Sequence, residues 1–461
     1  MMPGLKHAPF WMFLLLLLTF FLIELPGLSH IDPGDEHTYI YMGKLVAEGK
    51  MPYRDFFNSH PPVQVFVSGI LFSLFGFSIV IFKLVPFFST IGTSVLLFFL
   101  IKKLFGPWEG LLGAGLFLFS YRVMLEATYF LGVDLTTFFV VLSLFLLYSK
   151  RPLWAGSIAG VAALTGLYSL VVIFAVLAFL FFKSKKLFLR YSIGFFIVGG
   201  LINLALLLVP GYFLQVYWYH ALKPSLPGST FSIFLAFMQK HYLILSLALL
   251  AAFGCRRKRL LLPFIIAFFY LIFLLWVRLF HFYFVLWLPF LAMLAAVGLM
   301  DILSRFPKYR DIFIAIFLIF FGYSIVSTAI YLQSFDFIDF ASERELTGFI
   351  MDNASPQDRI FGDVLTVPLL ALRTEVPIAF DFVDTNAMRF LSGLADFGEV
   401  LKKLKEEKVR FVVVRPLEGF GNSAIVRDFL VESCLQSYRV TDPYWGDVFV
   451  YDCSKQPSLN S

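Results

Sequence analysis

The stretch "HIDPGDEHTYIYMGKLVAEGKMPYRDFFNSHPPV", His30 to Val63, separates two long apolar runs near the start of the chain. It concentrates acids, bases and histidines in a protein of 461 residues that is 59% hydrophobic and only 15% charged. Soluble globular domains do not have that composition, whereas apolar runs of about 18 to 25 residues are long enough to cross a bilayer as helices. The stretch is therefore predicted to be a polar loop at one face of a membrane protein.

The apolar runs predict a polytopic α-helical membrane protein with roughly 11 or 12 transmembrane helices. The run 153–182 is too long for one crossing and is predicted to form two short helices that meet near Gly166 to Ser169. No small-residue cleavage motif follows the first run, which is therefore interpreted as a retained helix. The runs lie near residues 10–28, 61–80, 84–101, 107–125, 135–149, 153–182, 187–209, 232–254, 260–277, 282–300 and 311–332.

Basic clusters predict the orientation, because Lys and Arg accumulate in cytoplasmic loops. The N-terminus is then cytoplasmic, and residues 29–60, 126–134, 210–230, 278–281 and the tail after 332 are outside, across a plasma membrane. With this orientation 61–80 and 84–101 together make an odd number of crossings, so one of them is expected to be re-entrant or surface-lying. The net charge of +6 agrees with basic cytoplasmic loops, and nothing indicates a nucleic-acid partner.

The composition changes after about Gln333. "RIFGDVLTVPLL" predicts a strand then a helix, "EVLKKLKEEKVRFVVVRP" an amphipathic helix, a turn and a buried strand, and "YRVTDPYWGDVFVYDC" a closing hairpin. We therefore predict a membrane module over 1–332 and a small extracytoplasmic α/β domain over 333–461. Cys434 and Cys453 fit either a disulfide or two unpaired buried thiols, whereas Cys255, beside two arginines, is expected to be reduced.

The loop 29–60 begins with the features of a helix N-terminus. Asp32 is suited to cap a helix, Pro33 to its first position, and Asp35 and Glu36 to its first turn. Apolar residues then recur at helical spacing up to Gly49, which predicts an amphipathic helix lying on the membrane surface. On composition alone the two acids are explained as helix-end charges, each worth about 0.3–1 kcal/mol.

The order of several motifs adds a functional reading. The loop carries an Asp-Glu-x-x-Tyr motif and then His-Pro-Pro and Phe-Gly, a later helix starts with an acid, and a still later one follows a base, a His and a Tyr. The residues are Asp35, Glu36, Tyr39, His60, Pro61, Pro62, Phe75, Gly76, Lys83, Tyr129, Asp134, Arg278, His281, Tyr283 and Pro289. Over roughly residues 10–300 this pattern resembles the membrane-embedded glycosyltransferases of the C-type fold, which include the protein O-mannosyltransferases and the lipid A aminoarabinose transferases.

The resemblance implies transfer of a sugar from a polyprenyl-phosphate donor, dolichyl or undecaprenyl, to an acceptor on the outer face, with inversion. Asp35 is predicted to be the base or the carboxylate that orients the acceptor, with Glu36 and Asp134 as further catalytic candidates. The departing lipid phosphate needs cationic or hydrogen-bonding groups nearby. The predicted substrate-binding residues are Tyr39, His60, Lys83, Arg278, His281 and Tyr283.

His60 stands where the family usually has a Lys, and a neutral His is a weaker phosphate anchor. Arg54, Lys83 or Arg278 is therefore the alternative anchor for the phosphate. No metal-ligand spacing is visible, so no obligatory cofactor or metal is predicted, although a divalent cation stays open because the oligosaccharyltransferases of this fold use one. The acceptor, whether protein, lipid or glycan, is also left open.

Structural roles are an alternative explanation for several of the candidate residues. Asp134 has an alternative as a helix-start acid, Arg278 as a base that snorkels to the membrane interface, and His281 as a hydrogen-bonded interfacial residue. For the whole protein the alternatives are an oligosaccharyltransferase or glycan ligase with a lipid-pyrophosphate donor, a lipid or sugar transporter, and an inactive scaffold. Transporters tend to have internal repeats and charges in mid-helix, which this sequence lacks.

Overall fold

The structure is a computed structural model that describes residues 7–31, 34–223, 229–254, 258–277, 280–336, 341–416, 419–442 and 446–455. Its α-helices, numbered α1 to α22 in chain order, are Ala8–Glu24, Asp35–Ala47, Pro62–Phe75, Ile79–Leu104, Pro107–Leu118, Tyr121–Glu126, Val133–Tyr148, Pro152–Thr165, Ser169–Lys183, Lys185–Phe195, Leu201–Leu206, Tyr219–Leu222, Ser229–Lys240, Tyr242–Gly254, Leu261–Trp276, Phe284–Arg305, Arg310–Asp336, Ala341–Asn353, Val367–Thr374, Ala387–Leu391, Phe397–Glu406 and Ala424–Ser433.

The strands β1 to β4 are Ile360–Gly362, Phe411–Val414, Leu435–Asp442 and Gly446–Asp452. The backbone divides into two compact units. The first, the helical unit, contains Met1–His30, Lys83–Ala205 and Ser225–Phe337; the second, the loop unit, contains Ile31–Phe82, Leu206–Pro224 and Ile338–Ser461. The units do not follow the division at residue 333, because the first outer loop groups with the C-terminal residues.

The helical unit is built around α16. Every residue from Phe284 to Leu299 in this helix is buried, as expected of a helix that is apolar on all sides. It packs against α5, α7, α14 and α15. Elsewhere in the unit, α8 and α10 approach closely at glycines: a Cβ on Gly156 would lie 2.8 Å from the amide nitrogen of Phe195. Small residues at such crossings allow the close backbone contact that membrane helices use.

Within the described ranges, five helical segments are long and apolar enough to cross a membrane by length and composition, and a sixth if a bent pair counts as one span. The five are Ile79–Leu104, Lys185–Leu206, Lys258–Trp276, His281–Arg305 and Pro307–Ser334, and shorter apolar helices accompany them in the described residues. The predicted polytopic helical fold class is thereby confirmed. A total of 11 or 12 crossings requires the shorter helices to cross as well, so this number stays a prediction.

Several predicted runs differ in detail. The run 153–182 divides at Gly166 into α8 and α9, as predicted. The run 107–125 is broken into α5 and α6, and 232–254 into α13 and α14, which meet at a bend of 86°. Helix α3, within the predicted run 61–80, has 14 residues, about 21 Å at 1.5 Å per residue, which is shorter than the hydrocarbon layer. Of the two runs required to make an odd number of crossings, α3 is thus the one expected not to cross.

The loop unit contains a four-stranded sheet of order β1-β2-β4-β3. Strands β1 and β2 are parallel, β4 is antiparallel to β2, and β3 and β4 form a hairpin. The predicted strand–helix, helix–strand and hairpin segments are all confirmed. Cys434, after α22, and Cys453, after β4, form a disulfide, which decides between the two alternatives left by the sequence.

Candidate active site

Helix α2 carries the Asp-Glu-x-x-Tyr motif and begins at Asp35. Its N-cap is Gly34, in an extended conformation without a side-chain cap; Asp32 and Pro33, expected to start the helix, lie outside the described residues. The apolar residues Ile40, Met42 and Leu45 are buried, and the helix packs against α3 and α19. Protein contacts therefore cover part of the apolar face of this helix, and its position relative to the membrane stays a prediction.

Three contacts join the first outer loop to the C-terminal domain. Thr38 Oγ1 donates to the carbonyl of Val364 at 3.2 Å, and the Tyr41 hydroxyl accepts from the amide of Ile378 at 2.9 Å. Lys50 Nζ lies 2.7 Å from both carboxylate oxygens of Asp381. Residues about 330 positions apart in sequence thus hold α2 in place, so the surroundings of Asp35 include the C-terminal domain.

Asp35 is half-buried at the first turn of α2. The pKa of its carboxyl is raised to about 6, first by burial and then by the negative charges of Asp384 and Asp363, against which the positive charge of Lys223 acts. A carboxyl with a pKa near neutrality is ionised at pH 7 yet retains more affinity for a proton than an ordinary aspartate, which suits a general base.

Asp363 and its partners form a buried ionic group directly after strand β1. Its carboxylate accepts from Thr366 Oγ1 at 2.8 Å and lies 3.3 Å from Arg415 Nε, at the end of the parallel strand β2. Both charged side chains are at most 3% exposed. Because the carboxyl ends of parallel strands meet at one edge of a sheet, Asp363 and Arg415 lie together at that edge. The negative charge of Asp363 acts on Asp35.

His60, predicted to contact substrate, lies beside Tyr39 and His220. The ring centroid of His60 lies 5.5 Å from that of Tyr39 and 6.0 Å from that of His220. Burial lowers the pKa of His60 to about 3, helped by the charges of His220 and Lys223, and that of His220 to about 4. Both imidazoles are therefore neutral at physiological pH, so they act as hydrogen-bonding groups and Lys223 is the cation of this cluster.

Lys223 and the histidines are held by aromatic and amide contacts. The ammonium of Lys223 lies 4.3 Å from the ring centroid of Tyr219, and His220 Nε2 is 2.8 Å from the carbonyl of Ser59. The Tyr53 hydroxyl donates to the carbonyl of His60 at 2.9 Å. The segment that ends at Lys223 thus forms one wall around the His60 end of the loop.

Glu36, the second acid of the motif, is completely buried, and its carboxylate lies 3.9 Å from His37 Nε2. The neighbouring Tyr39 is half-buried, and its main-chain carbonyl accepts from Ser68 Oγ at 3.0 Å. Glu36 therefore points into the protein while Asp35 keeps partial access to solvent. This difference favours Asp35 as the residue that meets a substrate.

The other candidates belong to the helical unit. Asp134 is 1% exposed in the first turn of α7, and its Oδ1 accepts from Thr90 Oγ1 at 2.9 Å. Glu126, at the start of the segment 126–134 that is predicted to be external, is buried at the end of α6 with its carboxylate 3.3 Å from Arg122 Nη1. Lys83 is also buried, and its ammonium donates to the carbonyl of Gly27 at 3.3 Å.

Two further candidates lie before α16. His281 is exposed and Tyr283 is half-buried, with its ring 5.3 Å from that of Tyr168. Arg278, predicted to bind phosphate, lies outside the described residues. The roles predicted for these residues stay predictions, because the positions of their side chains do not test whether they contact a substrate.

Sequence reasoning missed Lys223, His220, Asp363 and Asp384. Lys223 and His220 follow an apolar stretch in a loop predicted to be external. Their residue types alone do not distinguish them from residues that anchor a loop at the membrane interface. Asp363 carried a usable signal: an acid directly after a buried strand, at the edge where parallel strands end, is commonly placed toward a site. In the part of the chain that the structure describes, no three His, Cys, Asp or Glu side chains lie close enough to hold a metal ion.

Comparisons with known proteins bear on this arrangement. The family model of dolichyl-phosphate-mannose-protein mannosyltransferases matches residues 59–213, about a third of the chain. No curated protein sequence matches significantly. The resemblance drawn from the sequence motifs is thus supported over the segment that includes His60 and Asp134.

Solved structures show the same fold at low identity. ArnT from Cupriavidus metallidurans, solved with undecaprenyl phosphate bound, matches with a TM-score of 0.69 and 15% identity, over 97% of this chain and 98% of ArnT. The Archaeoglobus fulgidus oligosaccharyltransferase, in complex with Zn and sulfate, matches with a TM-score of 0.60 and 13% identity, over 96% and 74% of the two chains. The predicted C-type glycosyltransferase fold is confirmed, and the chain is an integral membrane protein.

Proposed function

We propose that the protein is a glycosyltransferase that moves a sugar from a polyprenyl-phosphate donor to a hydroxyl acceptor at the outer membrane face. The proposal rests on one observation above the others: Asp35 is a partly accessible carboxyl with a raised pKa, near charged residues from two other segments of the chain. The similarity to ArnT and to the mannosyltransferase family model supports the class of donor.

In this mechanism the Asp35 carboxylate accepts the proton of the acceptor hydroxyl, which becomes a better nucleophile as the proton leaves. The oxygen attacks the anomeric carbon of the sugar while the bond to the lipid phosphate oxygen breaks. Direct displacement inverts that carbon. The phosphate departs as an anion and needs no proton, so the donor side requires cationic and hydrogen-bonding groups instead.

Lys223, His60 and His220 are the described residues best suited to the departing phosphate. The ammonium of Lys223 provides charge, and the two neutral imidazoles provide hydrogen bonds. This assignment transfers the anchoring role expected for Lys83, which is buried against a main-chain carbonyl. No metal is required in this scheme, because the charges named are those of the chain itself.

A lipid-pyrophosphate donor is a second candidate, favoured by the fold shared with the Archaeoglobus fulgidus oligosaccharyltransferase. The two donors differ by one phosphate, so a panel that contains both types separates them. Transport of a lipid or sugar would leave the sugar attached to its lipid and would give no released label.

The test uses the purified full chain in lipid, with radiolabelled polyprenyl-phosphate and polyprenyl-pyrophosphate sugars and a mixture of acceptors. Wild type is expected to release label from a phosphate donor, and Asp35→Asn to lower that rate at least about a hundredfold, as for loss of a general base. Glu48→Gln, at the exposed C-terminal end of the same helix, is the matched control and should keep full activity.

Because the fold opposes ionisation of Asp35, the asparagine variant is expected to fold as well as wild type. Its thermal unfolding is measured beside its activity. Equal release by wild type and Asp35→Asn would move the base elsewhere, with Asp134 the next candidate. Release only from pyrophosphate donors would favour the second candidate function.

A further inference from the structure

A cavity of about 350 Å³ lies within the loop unit, and Lys223, His60 and His220 are not among the residues that border it. Its walls come from residues 53–57 of the first outer loop, from residues 214–215, and from residues 380–403 of the C-terminal domain. Ligand pockets measure roughly 300–1,000 Å³, so this cavity has the size for a small ligand such as a mono- or disaccharide.

Aromatic faces form part of the lining. Phe380 and Phe382 are half-buried and border the cavity, with Phe57 beside them. The guanidinium of Arg389 lies 4.2 Å from the ring centroid of Phe57 and 3.8 Å from that of Phe382. The face of an aromatic ring carries negative charge, and it therefore attracts both the guanidinium and the weakly positive C–H groups on one side of a sugar ring.

Hydrogen-bonding groups surround these rings. Arg389 Nη1 donates to the carbonyl of Asp384 at 3.0 Å, whereas its buried Nε has no hydrogen-bond partner among the described residues. The carboxylates of Asp381, Asp396 and Glu399 also border the cavity. Hydroxyl groups donate to carboxylates and accept from guanidinium groups, so a polyhydroxylated ligand satisfies both kinds of side chain.

The charges at the cavity nearly balance once their ion-pair partners are included. The cavity has four carboxylates, which include Asp55, against three bases, Arg54, Arg389 and Lys403. Arg54 is engaged by Asp55 at 2.8 Å. Asp381 is paired with Lys50, which lies outside the lining. The cavity therefore has no surplus of positive charge to attract a phosphate or an acidic peptide, and a lipid tail would meet charged walls, whereas a neutral saccharide requires neither a net charge nor an apolar wall.

The backbone at the cavity is strained. Tyr53, Phe380 and Asp381 have φ angles of 73°, 40° and 52°, and they supply three of the six described non-glycine residues with positive φ. Such conformations cost free energy for residues with side chains and persist where the surrounding structure holds them, often at ligand sites. Their clustering along one cavity indicates a wall that is shaped for binding.

From this geometry we infer that the cavity lined by Phe57, Phe382, Arg389 and Glu399 binds a neutral saccharide unit of the acceptor. The placement on the acceptor side rests on the proposed function, whereas the binding of a sugar does not. Arg389 links the two, because its hydrogen bond to Asp384 joins the cavity wall to a residue whose charge acts on Asp35. The acceptor is thereby assigned to the class of glycans or glycosylated molecules.

The experiment measures sugar binding to the full chain in lipid nanodiscs without any donor lipid. Saturation-transfer difference NMR is recorded with neutral disaccharides of gluco, galacto and manno configuration at millimolar concentration. At least one is expected to bind, with strongest saturation of the C–H protons on one sugar face. Phe382→Leu keeps the apolar volume but removes the ring, and is expected to weaken binding about tenfold.

Glu399→Gln is a second variant, and since Glu399 is exposed on α21 it should not disturb folding. It is expected to weaken binding several-fold. Glu406→Gln, exposed on the same helix but outside the cavity, is the matched control and should bind as wild type does. Binding that is unchanged in both cavity variants, or absent for every disaccharide, would overturn the inference. Sugar binding without release of label from any donor lipid would leave the cavity assignment standing and contradict the proposed function alone.

Discussion

The raised pKa of the Asp35 carboxyl predicts how the transfer rate depends on pH. Its pKa is raised to about 6, first by burial and then by Asp384. A base must be ionised to accept a proton, so the transfer rate is expected to fall on an acidic limb below about pH 6. Asp384→Asn removes a negative charge, so the pKa of Asp35 should fall and the limb should move to lower pH. The measurement is kcat/KM against pH for both proteins.

Two further variants make this prediction specific. Lys223→Met removes the positive charge that lowers the pKa of Asp35, so its acidic limb should move to higher pH, opposite to that of Asp384→Asn. Asp352→Asn removes an exposed carboxylate at the end of α18 in the same unit and should leave the limb in place. An acidic limb that stays at one pH in all four proteins would show that the limb does not report Asp35.

Among single residues, the sequence identified those whose role depends on local context. Asp35 follows from a helix start and a motif, and the weakness of His60 as a phosphate anchor follows from its neutral ring, which burial reinforces. Lys223 and Asp384 were not predictable, because their importance comes from proximity to Asp35 across about 190 and 350 positions of sequence. Periodicity and motif spacing report neighbours along the chain, and a site assembled from three segments lies beyond their reach.

Helices α2 and α3 make a prediction at the scale of elements, since their crossing depends on Gly43. A Cβ added there would lie 2.7 Å from the carbonyl carbon of Ser68. Gly43→Ala is expected to destabilise the protein by about 1–3 kcal/mol, as overpacking does, and to reduce transfer by displacing α2 and Asp35. Thermal unfolding in lipid and the initial transfer rate are measured together.

The matched control for Gly43→Ala is Gly348→Ala, in helix α18 of the same unit. A Cβ at Gly348 meets no atom within 4 Å, and alanine in a helix interior is favoured over glycine by roughly 0.5–1 kcal/mol. The two identical substitutions should therefore change stability in opposite directions. Destabilisation of equal size at both positions would contradict the role given to the close approach of α2 and α3.

Two other runs show why the sequence predicts helical structure correctly but does not predict where a helix breaks. The runs 107–125 and 232–254 are predominantly apolar, so hydropathy predicts one helix each, although polar residues stand where the helices break, at Arg122 and at Lys240 and His241. In the structure both runs break, and the breaks meet: the main-chain amide of Arg122, in the first turn of α6, donates to His241 Nε2 at 3.3 Å. His241 Nδ1 in turn lies 3.0 Å from the carbonyl of Phe237. A pairing between distant segments therefore determines where each helix ends.

At the scale of the whole molecule, the three cysteines test the predicted orientation. Disulfides form and persist outside the cytoplasm, and the structure joins Cys434 to Cys453 in the C-terminal domain. Cys255, among cytoplasmic bases in the predicted topology, should remain a thiol and serves as the control within the same chain. Membranes are treated with a maleimide of known mass before and after reduction, and labelled cysteines are identified by mass spectrometry of the peptides.

The expected result is that Cys255 is labelled without reduction, whereas Cys434 and Cys453 are labelled only after it. The C-terminal domain contacts α2, the helix that begins with Asp35, through Thr38 and Tyr41. The compartment that oxidises its cysteines is therefore also the compartment that Asp35 faces. Sidedness of the disulfide therefore fixes sidedness of the proposed reaction. Free thiols at positions 434 and 453 in native membranes would place both the domain and Asp35 in the cytoplasm, and the donor would then have to be presented on that face.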